Sequence, residues 1–153
     1  MHTEIHIRAP SAVVFRLAAA VEHWPVLLPH YRSVRIVRSD GRRRLVRMAA
    51  HRDGIPVHWT SIQTLDPDQD RIEYLHVAGI TRGMEVAWVL RPTGSGVWVR
   101  ISHRFHPRWP LIPSVLVDWV VHRFFVNAIA TKTLLHIRRL AEARNTSPSE
   151  PRT

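Results

Sequence analysis

Polar and apolar residues alternate over Thr3–Arg8, placing Ile5 and Ile7 on one side, and this period of two predicts a half-buried strand. Pro10 and Ser11 then open a helix: Ser11 is expected to cap it, with Val13, Val14, Leu17 and Ala18 as its apolar stripe. Glu22–Leu28 reads as a short second helix stopped by Pro29. Strand patterning follows over Arg32–Ser39, Arg43–His51, Val57–Leu65, Arg71–Ala78, Met84–Arg91 and Val97–Phe105. The links between these runs, Asp40-Gly41, Asp53-Gly54, Asp66–Asp70, Gly79–Gly83 and Thr93–Gly96, are short and mostly contain Asp or Gly. Such links are hairpin signals, so the six runs predict an antiparallel meander that the first strand extends to seven.

Pro107, Pro110 and Pro113 punctuate a connector, after which Ser114–Ala143 contains neither proline nor glycine and predicts one long helix. Val120, Phe124, Asn127, Thr131, Leu134 and Arg138 recur at three- and four-residue steps and share one face, expected to lie across the sheet. The tail from Asn145, rich in Ser, Pro and charge, reads as disordered, which leaves one α+β domain over residues 1–144.

A helix about 10 Å wide cannot cover the inner face of seven strands, so any gap that side chains do not fill becomes a cavity. Alternation puts Trp59, Ser61 and Gln63 on one strand face, Met84, Val86, Trp88 and Leu90 on another, and Val99, Ile101, His103 and Phe105 on a third. The facing helix adds Phe124, Asn127 and Thr131. Apolar walls with a few polar groups suit a small-molecule site. The tryptophans and His103 would serve equally in an ordinary core, whereas Ser61 and Gln63 need partners, because burying them unpaired costs a few kcal/mol.

Composition narrows the chemistry. The chain of 153 residues is 45% hydrophobic and 22% charged, with six tryptophans, enough for a core and a cavity wall. Cysteine is absent, which excludes disulfides, thiolate metal sites and cysteine nucleophiles. The first residues lack the apolar core of a secretion signal, and Leu111–Val121 is too short to span a bilayer, so a soluble, cytoplasmic protein is expected. The net charge of +10 comes almost wholly from arginine, with Lys132 the sole lysine. These arginines are scattered, and Arg42–Arg44 borders a hairpin turn as a solvated edge, so no nucleic-acid partner is expected. The pairs His2/His6 and His103/His106 lack a third ligand, and no phosphate loop, serine elbow or zinc-protease helix occurs, so no metal or cofactor is expected. Trp109–Ile112 suits a transient membrane contact, a lid or a packed connector.

The order strand, two helices, six strands, long helix, with Trp24-Pro25 followed by Tyr31, resembles the START-like polyketide cyclase/dehydrase and lipid-transport superfamily over about residues 3–143. The pattern is most similar to bacterial type II polyketide aromatase/cyclases. The resemblance implies a helix-grip fold, in which a seven-stranded antiparallel sheet wraps around a long C-terminal helix, with two short helices after the first strand. It also implies a pocket built from Trp24, Tyr31, Trp59, Ser61 and Asn127, while the family's pocket arginine falls on Gln63. On this resemblance Tyr31 is the expected proton donor, with Ser61, Gln63 and Asn127 as hydrogen-bond partners of polyketide oxygens. Trp24, Trp59, Trp88, His103, Phe124 and Thr131 are the expected ligand contacts. The implied function is binding of a hydrophobic aromatic or polyketide-like molecule with cyclisation or aromatisation of a poly-β-ketone, an acyl carrier protein being a further expected partner. The alternative is a non-enzymatic carrier of a quinone or lipid. Gln63→Arg is expected to hold or raise activity in a cyclase and to bury an unpaired charge in a carrier.

Overall fold

A computed structural model describes the chain except for residues 1, 53, 80, 106–110, 122, 124–128 and 147–153. The strands are β1 (His2–Ile7), β2 (Tyr31–Asp40), β3 (Arg43–Arg52), β4 (Ile55–Asp66), β5 (Arg71–Gly79), β6 (Glu85–Thr93) and β7 (Gly96–Arg104). They form one seven-stranded sheet in the order β1-β7-β6-β5-β4-β3-β2, antiparallel at every pairing. The expected meander is therefore present, with β1 closing onto β7. Register shifts interrupt β2 at Tyr31/Ser33 and Ile36/Arg38, and β4 at Thr60/Ser61. Such bulges bend a strand and sharpen its twist.

Two glycines mark close approaches. At Gly79 (φ +101°) a Cβ would sit 2.7 Å from the His58 carbonyl oxygen and 3.1 Å from Trp59 Cα, so only glycine lets β5 pass over Trp59. At Gly96 a Cβ would lie 2.1 Å from the Ile7 carbonyl oxygen, where β7 meets the end of β1.

Helix α1 (Ser11–Ala19) buries Val14, Leu17 and Ala18, as its stripe predicts. Ser11 does not cap it: Ser11 is already helical, and the Pro10 carbonyl accepts from the Val13 and Val14 N–H groups at 3.1 and 3.3 Å. The second helix begins as a 3₁₀ turn over Val21–His23 and continues as α2 (Trp24–Leu27). Pro25 is accommodated there in the first turn, where its missing N–H is not needed.

Within the stretch Ser114–Ala143 expected to be helical, the described residues form α3 (Ser114–Val121) and α4 (Thr131–Thr146), with wider π-type turns at Arg123, Ile129 and Ala130; residues 122 and 124–128 lie outside the description. The Thr133 hydroxyl donates to the Ile129 carbonyl at 2.8 Å, and such back-bonding locally distorts a helix. The inward face is also rotated from the expected one. Thr133, Leu134, Ile137 and Ala141 are buried, whereas Thr131 and Arg138 are only half-buried. The apolar residues thus decide the rotation. Phe124 and Asn127, assigned to that face, lie outside the described residues.

Helix α4 packs on α1 and β1. Its end is tied down where Asn145 Nδ2 donates to the Arg8 carbonyl and the Arg8 N–H donates to Glu142 Oε1, both at 3.1 Å. The core lies between these helices and the inner sheet face, with Ile7, Val14, Val46, Ile72, Val99, Ile101, Leu134 and Ile137 among its most buried members. The apolar side chains of Leu111, Val115, Leu116 and Trp119 are turned to solvent. Among the described residues no helix is long and apolar enough to cross a membrane.

Candidate functional site

The inner face of β3–β7 and the start of α4 enclose a cavity of about 60 Å³. Trp24 reaches it from α2, Tyr31 from β2, Met48 from β3 and Trp59 from β4. Tyr74 and His76 come from β5, Val86 and Trp88 from β6, Ile101 and His103 from β7, and Met84 from the turn before β6. Ile129, Ala130 and Thr133 close the helical side. The volume matches about two waters at their liquid share of space. A larger depression of about 910 Å³ lies on the outer sheet face among Arg43, Arg71, Arg100 and Arg104. Glu73 and Glu85, which pair there with Arg71 and Arg104, make it a solvated ionic surface.

Aromatic packing sets the cavity's shape. Trp24 is anchored by its indole N–H, which donates to the Leu17 carbonyl at 2.9 Å, and its ring meets those of Tyr31 at 5.0 Å and Trp88 at 6.1 Å. Trp59 approaches Tyr31 edge-on at 6.3 Å and stacks on His76 at 5.9 Å with the rings nearly parallel. Tilted and offset contacts of this kind are favourable for aromatic quadrupoles.

Polar groups on the wall, and His30 behind it, have defined surroundings. His30 Nε2 lies 2.9 Å from Thr133 Oγ1, and Tyr31 Oη lies 3.4 Å from the same oxygen. Since the Thr133 proton goes to the Ile129 carbonyl, His30 donates to Thr133 through Nε2–H. Burial, then the neighbouring His136 and Lys132, push the His30 pKa down to about 4, so the ring is neutral near pH 7. His76, bonded through Nδ1 to Thr81 Oγ1 at 2.7 Å, is pushed down to about 3 by burial and then by His103. His103 is lowered to about 4, chiefly by burial. Burial raises the Tyr31 and Tyr74 hydroxyls well above the ordinary phenol range, which keeps both protonated. The cavity therefore carries hydroxyl donors and neutral imidazoles.

The sequence-assigned residues divide accordingly. Trp24, Tyr31, Trp59, Trp88 and His103 line the cavity together. Ser61 and Gln63 are fully buried on the inner face of β4, yet they lie outside the cavity wall. Ser61 Oγ has no hydrogen-bond partner among the described residues. Gln63 belongs to a polar cluster beneath α1: its Oε1 accepts from Arg44 Nε at 2.7 Å, and its Nε2 donates to the Ala19 carbonyl at 3.2 Å and to Tyr74 Oη at 3.0 Å. Arg44 also donates to the Ala19 carbonyl and pairs with Glu22 at 3.2 Å. Its side chain is only 13% exposed, so Arg44 is not part of a solvated arginine edge, unlike Arg42, which pairs with Asp66 and Asp68 in solvent. Thr131 is absent from the wall, where Thr133 stands instead.

Tyr74 and His76 are not among the sequence-assigned residues although their signal is there: they share the buried face of β5 with Ile72, as Ser61 shares that of β4 with Gln63. Met48 shares its face with Val46 and Ala50 in the same way.

A helix laid across a seven-stranded antiparallel meander, with an aromatic cavity between them, coincides with a match of residues 7–125 to the family of polyketide cyclase/dehydrase and lipid transport proteins. The chain belongs to this family. Within this polyketide cyclase/dehydrase family, the chain is 32% identical over 107 residues to the granaticin polyketide synthase bifunctional cyclase/dehydratase of Streptomyces virginiae, a match covering 68% of this chain and 35% of that protein. It thus spans about a third of that relative's length. A putative polyketide cyclase of Streptomyces halstedii is 33% identical over 104 residues, covering 65% of this chain and 95% of that one. In fold, the chain superposes on the Zhui aromatase/cyclase of Streptomyces sp. R1128 with a TM-score of 0.77 at 19% identity, covering 96% and 95% of the two chains. The helix-grip, START-like architecture expected from the sequence is therefore the observed one.

Proposed function

We propose that the chain binds a hydrophobic aromatic or polyketide-like molecule between the sheet and α4, and that it promotes cyclisation with loss of water through its buried hydroxyls. The observation that carries this reading is an aromatic-walled cavity reached by two protonated tyrosines and neutral histidines, with no ionised group on the wall among the described residues. Once a ligand fills the cavity, a hydroxyl there polarises a ketone strongly, because water does not compete for the oxygen. A multi-ring ligand exceeds 60 Å³, so binding requires the wall to yield. Met48 and Met84 are the adaptable wall members, being unbranched and flexible.

A polycyclic phenol or quinone is expected to quench tryptophan fluorescence saturably, since Trp24, Trp59 and Trp88 all line the cavity. Trp59→Ala should weaken binding by about 1 kcal/mol or more through lost ring contact. Quenching that does not saturate would remove the pocket reading.

Turnover is tested with a poly-β-ketone substrate. Tyr31→Phe keeps the ring against Trp24 and Trp59 but deletes the hydroxyl, so the rate should fall about 10²-fold with binding nearly unchanged. A wild type that binds the substrate without forming product would assign the chain to carriage of a quinone or lipid instead.

A further inference from the structure

We propose that Tyr74 is the group that recognises a carbonyl or enolate oxygen of the bound molecule, and that Gln63 and Arg44 fix the direction in which its hydroxyl donates. This rests on the reading that the cavity takes an oxygenated small molecule. The argument is a count of protons. Arg44 Nε is a donor only, so the Gln63 atom 2.7 Å from it must be the amide oxygen. The amide nitrogen then faces the Ala19 carbonyl and Tyr74 Oη, and its two protons serve those two acceptors. Flipping the amide would set donor against donor at Arg44 and oxygen against oxygen at Ala19. The orientation is therefore determined by the network itself.

Tyr74 Oη accepts, and its own proton has no other partner among the described residues. Tyr74 is a cavity-lining residue, and its hydroxyl proton, not used by Gln63, is the one it can offer to a ligand oxygen there. Accepting a hydrogen bond makes a hydroxyl a better donor, and the Arg44 guanidinium polarises the amide in the same direction. The chain Arg44, Gln63, Tyr74 carries a cation's influence from beneath α1 to the cavity without placing the charge inside it. Glu22 balances that charge at the outer end, at 3.2 Å from Arg44. Tyr74 is thus the ligand-contacting member, and Gln63 and Arg44 are positioning residues.

The test uses a matched pair of probes, 1-tetralone and its deoxy analogue tetralin, with the intact protein. Tyr74→Phe deletes the donor. Gln63→Glu keeps shape and the pairing with Arg44 but presents an acceptor to Tyr74, which then turns its proton away from the cavity; the Ala19 carbonyl keeps its bond from Arg44. In both variants the preference for 1-tetralone over tetralin should fall about fivefold or more, the weight of one hydrogen bond. The infrared carbonyl band of bound 1-tetralone should also shift to higher frequency than in the wild type, a change that packing alone does not produce. An unchanged band and preference in Tyr74→Phe, with both probes still bound, would overturn the role of Tyr74 and leave the pocket intact. A wild type that binds neither probe would overturn the pocket reading, and this one with it.

Discussion

Gln63→Arg is expected to destabilise the fold by about 3–5 kcal/mol, the scale of an uncompensated buried charge. Gln63 is fully buried and supplies the acceptor that Arg44 Nε uses at 2.7 Å. An arginine there removes that acceptor and brings a second guanidinium against the first, with Glu22 the one carboxylate paired in the cluster among the described residues. It also removes the amide donor to Tyr74, although the Ala19 carbonyl retains Arg44. For a domain of this size the melting temperature should drop by about 10 °C. The family resemblance alone carries no such penalty for a cyclase, where an arginine at this position would hold or raise activity. The loss of stability is expected because the neighbouring strand already brings a cation to the spot: Arg44 is the register partner of Gln63. Urea denaturation of the two proteins decides the matter. Equal midpoints would mean that Arg44 and Gln63 do not share the cluster described.

The strand pattern carried most of the architecture because a side-chain period of two is unambiguous where one face is buried and the links are short. Trp59, Ser61 and Gln63 alternate with His58, Thr60 and Ile62, and the first three are all buried. Trp59, Trp88 and His103 are legible as wall candidates for the same reason, whereas Trp24 and Tyr31 are reached only through the family resemblance. Alternation identifies a face, however, not what lies above each point of it. Gln63 lies beneath the end of α1, and Tyr74 beside it opens on the cavity, a distinction made by the packing of helices on the sheet. Helical periodicity was less decisive on α4. A stripe drawn through Thr131 and Arg138 fits the spacing nearly as well as the observed one through Ala130, Leu134, Ile137 and Ala141. Nor does spacing reveal the π-type backbone at Ile129 and Ala130, which accompanies a hydroxyl bonding back along its own helix.

Stability is expected to fall steeply between about pH 6.5 and pH 4, driven by three histidines of and around the cavity. Burial is the first cause in each case, and it lowers His30 and His103 to about 4 and His76 to about 3, from an ordinary value of 6.5. A histidine whose pKa is depressed by folding is neutral in the folded chain and charged in the unfolded one throughout that window. The unfolded state therefore binds more protons, so stability present above about pH 6.5 is lost as the pH falls toward the folded values. Each such histidine contributes a slope of about 1.4 kcal/mol per pH unit, and three together approach about 4 kcal/mol per unit near pH 5. Their neighbours act in the same direction, since His136 and Lys132 face His30, and His103 faces His76. Glu4, whose carboxyl is held low by its hydrogen bond to Arg100 on the outer surface, adds a smaller loss at the acid end. Urea unfolding at a series of pH values from about 8 to 4 measures the slope directly. His76→Gln retains a partner for Thr81 and should remove about one proton's worth of it. A flat stability profile between pH 7 and pH 5 would mean that these imidazoles take up protons inside the fold. The cavity would then admit water freely, and the dry environment on which the proposed chemistry of Tyr31 and Tyr74 depends would be lost with it.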